Sequence, residues 1–382
     1  MREDCKHRRF FPCSVEPNDP IAAPINPTRR KLISGMAVAG LGAALTSTIG
    51  RFTSAFAQTP TPPAAKPHLV DVHHHIIPPF YLAEYRDRIA SSRGGQISAA
   101  WLGWTPEKAL AAMDQQGVAT AVLSLSSPGV WFGDPQAARQ TARRSNEYAS
   151  ELARSHSGRF GLFAVIPLPD SDGSLREIEY ALDVLKADGI GVLTSYGDKW
   201  LGDLSFQPVF EELNRRKAVV FVHPTTPNCC RTLMPGIPTV MAEVPHDTTR
   251  TVISLLFSGA FTRFKDIRFI FAHAGGTVPM VFNRMIEYAP EGVAEKVPNG
   301  VEYELKRHYY DIAGTAHRPA IAALTSLVPM THILFGSDNP YVALAETAEG
   351  MTKVGLSAAD LQAIGRNNAL ALLPRLQANL RI

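Results

Sequence analysis

From residue 68 onward the chain repeats one alternation eight times, and that rhythm restricts its fold more than any other feature. Short apolar, β-branched runs stand at 69–73, 119–125, 160–166, 190–195, 218–223, 267–273, 309–313 and 332–337. They are continuous rather than alternating, the pattern of strands buried on both faces of a parallel sheet. Segments of helical period separate them at 105–116, 136–157, 174–187, 205–216, 247–261, 277–289 and 317–327, with two short ones within 341–373. Eight strand–helix pairs in roughly 310 residues predict an α/β fold, a closed (β/α)8 barrel. A doubly wound open sheet is the alternative. It usually carries a Gly-rich turn after its first strand, whereas here that strand ends in His73-His74-His75.

Of 382 residues, 45% are hydrophobic and 19% charged, enough apolar surface for a large core. The net charge of +3 excludes a strongly basic nucleic-acid binder. The first 57 residues carry eight of the 38 basic residues and four of the 35 acidic ones, so the barrel itself is near neutral. This leader has its own logic. Arg29-Arg30 precede a weakly apolar run from Met36 to Gly50, and Ala55-Phe56-Ala57 supplies small residues for a signal peptidase. The pattern resembles a twin-arginine export signal over residues 1–57, with cleavage after Ala57 and a periplasmic or secreted product. The run is too short and too rich in Gly, Ala and Thr for a stable membrane span. Residues 58–67 (QTPTPPAAKP) read as a Pro-rich linker, and 68–382 as the barrel domain. Beyond the leader only Cys229 and Cys230 remain, and adjacent cysteines rarely bridge without strain, so a free, buried thiol pair is expected.

Barrel active sites form at the carboxyl ends of the strands. Five of the 12 histidines fall at three such ends: His73, His74 and His75 after the first, His223 after the fifth and His273 after the sixth. The eighth strand ends in Gly336-Ser337-Asp338-Asn339. Residues two apart on a strand share a face, so His73 and His75 both point into the barrel mouth, while His74 faces away as a structural residue. With His223 and Asp338 they make a three-His, one-Asp set of the kind that holds Zn2+ or a similar divalent ion. Asp311, at the seventh strand end, suits a substrate contact or a helix cap. Tyr196, Asp198 and Trp200 suit a pocket wall or a packed loop. The remaining histidines read as surface or packing residues.

The motifs DVHHHIIPP, VFVHP, FAHAGG and FGSDNP, in that order, resemble the amidohydrolase superfamily over residues 68–370. Within it, the resemblance is to the aminocarboxymuconate-semialdehyde decarboxylase-like branch. The segments TSYGDKWLGD and VHPTTPNCC resemble sequences grouped with 6-methylsalicylate decarboxylases. The resemblance implies that His73, His75, His223 and Asp338 hold one Zn2+ or Mn2+ ion and that His273 is an acid/base residue. It also implies that Arg284 binds a substrate carboxylate from a neighbouring subunit of a homodimer, a surface ion pair being the plainer alternative, and Tyr196 joins it as a candidate substrate contact. Two-metal relatives place a carboxylated lysine at the end of the fourth strand. Here that end reads Leu193-Thr194-Ser195, and the nearest lysine, Lys199, lies beyond it.

The expected reaction is non-oxidative decarboxylation of a small aromatic or enol carboxylate such as 6-methylsalicylate, with protonated Asp338 as the candidate proton donor to the ring. The alternative is hydrolysis of a lactone, ester or amide by metal-bound water. A third reading is a binding protein for a metal or solute, against which the retention of His273 beside all four ligand positions argues.

Overall fold

The computed structural model describes residues 69–92 and 97–379; the expected export signal and Pro-rich linker lie outside these residues. Eight parallel strands form one sheet: β1 (Leu69–Ile76), β2 (Val118–Leu125), β3 (Phe160–Val165), β4 (Gly189–Leu193), β5 (Val219–His223), β6 (Arg268–Phe271), β7 (Tyr309–Asp311) and β8 (Ile333–Leu334). All eight coincide with the expected apolar runs. Each strand pairs with its sequence neighbour, as in Ile190↔Val220 and Val222↔Phe271. The ring then closes through the segment after β8. Val72 N–H donates to Phe335 O at 3.0 Å, Asp338 N–H to His73 O at 2.8 Å, and His75 N–H to Asn339 O at 2.8 Å.

The helices begin where local chemistry supplies a cap. Thr105 accepts from Lys108 N–H ahead of Pro106–Gln116, and left-handed Gly117 ends that helix. Asp134 caps Pro135–Ser155 through Gln136 and Ala137 N–H. The helix expected at 174–187 starts earlier, at Ser171, because Asp170 caps it, and passes into a π-helical turn at Tyr180–Val184. Two helices at Pro79–Ser92 and Ala99–Leu102 were not legible as periodic segments. They bury Tyr81, Ile89 and Trp101 in a cluster with Leu125, Val130 and Val165. Among the described residues, no helix is long and apolar enough to cross a membrane.

One buried carboxylate fastens the seam between β1 and the chain beyond β8. Asp71, with no exposed surface, accepts from His73 N–H (3.0 Å), Ser337 N–H (3.0 Å), Ser337 Oγ (2.6 Å) and His74 Nδ1 (3.0 Å). Deleting an acceptor for that many buried donors strands all of them. Asp71→Ala is therefore expected to cost about 3 kcal/mol or more of unfolding free energy, read as a lower urea midpoint at unchanged m-value.

Candidate metal centre

His73 and His75 close β1, His223 closes β5, and Asp338 lies in the segment beyond β8 that seals the barrel. Their ligating atoms all lie within 4.8 Å of one another, and all four residues are buried. The Nε2 atoms of His73 and His75 face each other at 3.1 Å, and Asp338 Oδ1 is 3.0 Å from His75 Nε2 and 3.3 Å from His73 Nε2. Both ring nitrogens of His223 are buried without a hydrogen-bond partner. Buried imidazole nitrogens are rarely left unpaired. An orphaned imidazole turned toward two others and a carboxylate is what a divalent cation requires, so the donor set fits one.

The electrostatics agree for His75 and His223, and differ at His73. Burial pushes His75 down to about 4, with the neighbouring His73 charge adding to the effect. Burial likewise holds His223 well below the usual histidine range. Both are thus neutral, as ligands must be. Burial opposes charge on His73 too, but the Asp311 and Asp338 carboxylates outweigh it and raise the ring to about 10. Burial alone would raise Asp338, but His73 holds its carboxyl well below the ordinary carboxylate value. Asp338 therefore rests ionised in this arrangement, unlike the protonated donor expected from sequence.

His273 stands beside this group with Nε2 4.0 Å from Asp338 Oδ2. Its Nδ1 is held by Ala313 O at 2.8 Å, which leaves Nε2 to the cavity side. The backbone here is unusual: His273, Ala274 and Asp338 all have positive φ (55°, 57° and 64°), a region that costs residues with a Cβ about 1–3 kcal/mol each. Asp311 fits neither a substrate contact nor a helix cap. Its Oδ2 accepts from His73 Nδ1 at 3.0 Å, and its Oδ1 accepts from the backbone N–H groups of His273 (3.1 Å) and Ala313 (2.9 Å). A single carboxylate thus orients a candidate ligand ring and fixes the strained backbone of the acid/base candidate. Its position at a strand end was the available signal.

A cavity of about 610 Å³ opens onto His223, His273 and Asp338. Ser126, Ser127, Thr225 and Thr226 give it hydroxyls, while Val240, Val244, Pro245 and Val342 give it an apolar wall; among the described residues, none that line it is Lys or Arg. Tyr341 lies edge-on to His75 at a ring separation of 5.4 Å. Tyr196 does not line this cavity. Its hydroxyl turns back to accept Leu193 N–H at 2.9 Å, and its ring borders a narrower crevice shared with His223. Arg284 is exposed on the helix Val278–Glu287, stacked over Tyr288 at 4.9 Å, outside the cavity of its own chain. Thr194 follows β4, and Lys199 points outward to Ser205. Trp200 donates to Asp247, a buried residue sequence reading passed over. His74 is held by Asp71, as its structural reading requires. Cys229 and Cys230 are not free thiols but are joined as a disulfide within the turn Asn228–Cys230; adjacency, taken as an obstacle, is accommodated in this loop.

A closed parallel barrel with three imidazoles and a carboxylate converging at its strand ends defines a metal-dependent (β/α)8 enzyme. The amidohydrolase family model matches residues 70–375, and the chain belongs to that family. It is 35% identical to the decarboxylase yanB of Aspergillus niger, over 82% of this chain and 90% of the relative. It is 33% identical to the 6-methylsalicylic acid decarboxylase of Penicillium expansum, over 81% of this chain and 97% of the relative. Among solved structures, a 5-carboxyvanillate decarboxylase from Novosphingobium aromaticivorans with bound manganese shares the fold. Its TM-score is 0.73 at 20% identity, covering 80% of this chain and 97% of that one.

If Asp311 orients His73, Asp311→Asn weakens metal binding by roughly 10–100-fold, the usual range for an outer carboxylate on a ligand histidine. Competition against a chromophoric chelator measures this directly.

Proposed function

We propose that this protein is a metal-dependent carboxy-lyase that releases CO2 from a small ortho-hydroxybenzoate of the 6-methylsalicylate type. The observation that carries the reading is the placement of ionised Asp338 and unstrapped His273 Nε2 together at one cavity wall, in a chain whose relatives at 33–35% identity are decarboxylases. A divalent ion held by His73, His75, His223 and Asp338 would supply Lewis-acid polarisation for the substrate's phenol and carboxylate oxygens. Zn2+ and Mn2+ both suit three imidazoles and a carboxylate, and the manganese in a solved neighbour makes Mn2+ the first ion to test.

The chain's own groups account for the proton. Asp338, ionised at rest, takes the proton that the substrate hydroxyl gives up and delivers it to the carboxyl-bearing ring carbon. His273 faces the same carboxylate and steadies the charge as the proton moves. The ring carbon–carboxyl bond then breaks, CO2 leaves, and the phenol oxygen recovers a proton from solvent. Val240, Val244, Pro245 and Val342 give the aromatic ring an apolar surface to pack against.

Two further parts belong to the same reading. Among the described residues the cavity lining offers no Lys or Arg, which favours a homodimer in which Arg284 reaches the partner's substrate carboxylate. The twin arginines Arg29-Arg30 favour export of an already folded, metal-loaded enzyme to the periplasm or beyond.

Offered 6-methylsalicylate, the Mn2+- or Zn2+-loaded enzyme is expected to yield CO2 and the matching phenol in equal amounts by mass spectrometry. His273→Ala is expected to abolish this turnover while keeping its metal. Absence of CO2 from a fully loaded, folded sample, with hydrolysis of a lactone or ester panel, overturns the decarboxylase reading. For the shared arginine, mixing inactive Arg284→Ala with inactive His273→Ala is expected to restore activity to about a quarter of wild type. Half of the random dimers are then mixed, and each holds one complete site. No recovery on mixing refutes the shared arginine.

A further inference from the structure

The convergent side chains are not equally supported from behind. His73 Nδ1 has Asp311, and His75 Nδ1 has Ser124, whose Oγ and carbonyl oxygen lie at 3.1 and 3.3 Å. His223 has no such partner on either ring nitrogen. The precision of its ring depends on where the backbone sets its Cα.

That backbone is gripped on both sides of its turn by one residue. Thr194, just past the end of β4, donates its N–H to His223 O at 3.0 Å. Its Oγ1 accepts from Thr225 N–H at 3.1 Å, so His223 and Pro224 are clasped between two bonds to the same side chain and backbone. The hydroxyl's own proton goes to Asp247 Oδ2 at 2.5 Å. Asp247 lies in the helix Glu243–Phe257 and has no exposed surface; it also accepts from Ser195 Oγ at 3.0 Å and Trp200 Nε1 at 2.7 Å, with Arg250 3.9 Å away. A hydrogen bond to a buried carboxylate is shorter and stronger than one between neutral groups. It also polarises the hydroxyl, whose lone pair then holds Thr225 N–H more tightly. Thr225 Oγ1 continues the chain to Ser127 Oγ at 2.8 Å, at the β2 side of the cavity.

We propose that Asp247, acting through Thr194, is the positioning residue for His223. The inference rests on the reading of His223 as a metal ligand. In place of a carboxylate behind the ring, this ligand has a carboxylate behind its backbone. Ligand geometry tolerates only about 0.5 Å of error before a site loosens, so releasing this clasp registers first in metal affinity.

The test is Zn2+ affinity of full-chain variants by chelator competition, with the thermal midpoint of each metal-free variant recorded alongside. Thr194→Val keeps the side-chain shape but loses both hydroxyl bonds, and Asp247→Asn keeps the shape but loses the charge. Both are expected to bind Zn2+ about tenfold more weakly or worse, and Thr194→Ser is expected to return to within about threefold of wild type. If one variant fails to fold, the other decides. Affinity within about twofold of wild type in the folded variants, with only the midpoint lowered, makes the network a structural strut and overturns the proposal. His223→Ala separates the two layers. Unchanged affinity there overturns the ligand reading and this proposal with it, whereas lost affinity there beside intact affinity in Thr194→Val and Asp247→Asn overturns this proposal alone.

Discussion

Closure of the barrel is the constraint on which everything else depends. His73 and Asp338 stand at opposite ends of the domain's sequence, yet the Asp338 N–H donates to the His73 carbonyl at 2.8 Å. Two of the three hydrogen bonds that seal the ring thus involve candidate ligand residues. No partial sheet can hold the site, because the first strand supplies two imidazoles and the last segment supplies the carboxylate between them. Folding and site assembly are one event, and the loop-closure entropy of joining the chain's ends is borne by the whole hydrophobic core.

Such a site concentrates polar groups where burial is costly. The structure offsets that cost with three buried carboxylates, each receiving three or more hydrogen bonds. Asp71 binds the seam, Asp311 joins His73 to the backbone of His273, and Asp247 reaches His223 through Thr194. Asp71 and Asp311 meet at His73, by its backbone and its ring, while Asp247 acts one residue removed, and each draws its donors from at least two elements. The apolar side of the arrangement is equally direct. Val72, Phe163 and Phe221 belong to a cluster completed by Leu372 and Leu376 near the chain's end, and Phe221 meets the His73 ring edge-on at 5.0 Å. Rings packed against such a cluster have little room to turn.

Much of this was written in the order of residues. Continuous apolar runs located all eight strands, since strands covered on both faces carry no alternation to misread. The strand-end rule then placed His73, His75, His223, His273 and Asp338 together, because the carboxyl ends of a parallel barrel share one face. What sequence did not disclose were relations fixed only by packing. The role of Asp311 depends on His73, 238 residues away, and that of Asp247 on Thr194, 53 residues away. Tyr196 sat in a promising loop, but its hydroxyl found the backbone of Leu193. The helices at Pro79–Ser92 and Ala99–Leu102 escaped notice because aromatic packing, rather than an amphipathic stripe, holds them in place.

The strained backbone ties these observations to chemistry. His273 and Asp338 are the two residues proposed to handle the proton, and both occupy left-handed conformations that a residue with a Cβ ordinarily avoids. Neither strain is left uncompensated. Asp311 accepts the His273 N–H, Ala313 takes its Nδ1, and the Asp338 N–H is locked to His73. A relaxed backbone would aim these side chains elsewhere. The energy invested in the turn is thus spent on holding an imidazole and a carboxylate 4.0 Å apart, short of a hydrogen bond. That gap keeps the pair from satisfying each other. Both line the cavity, where the proposed ortho-hydroxybenzoate would bring adjacent hydroxyl and carboxylate groups.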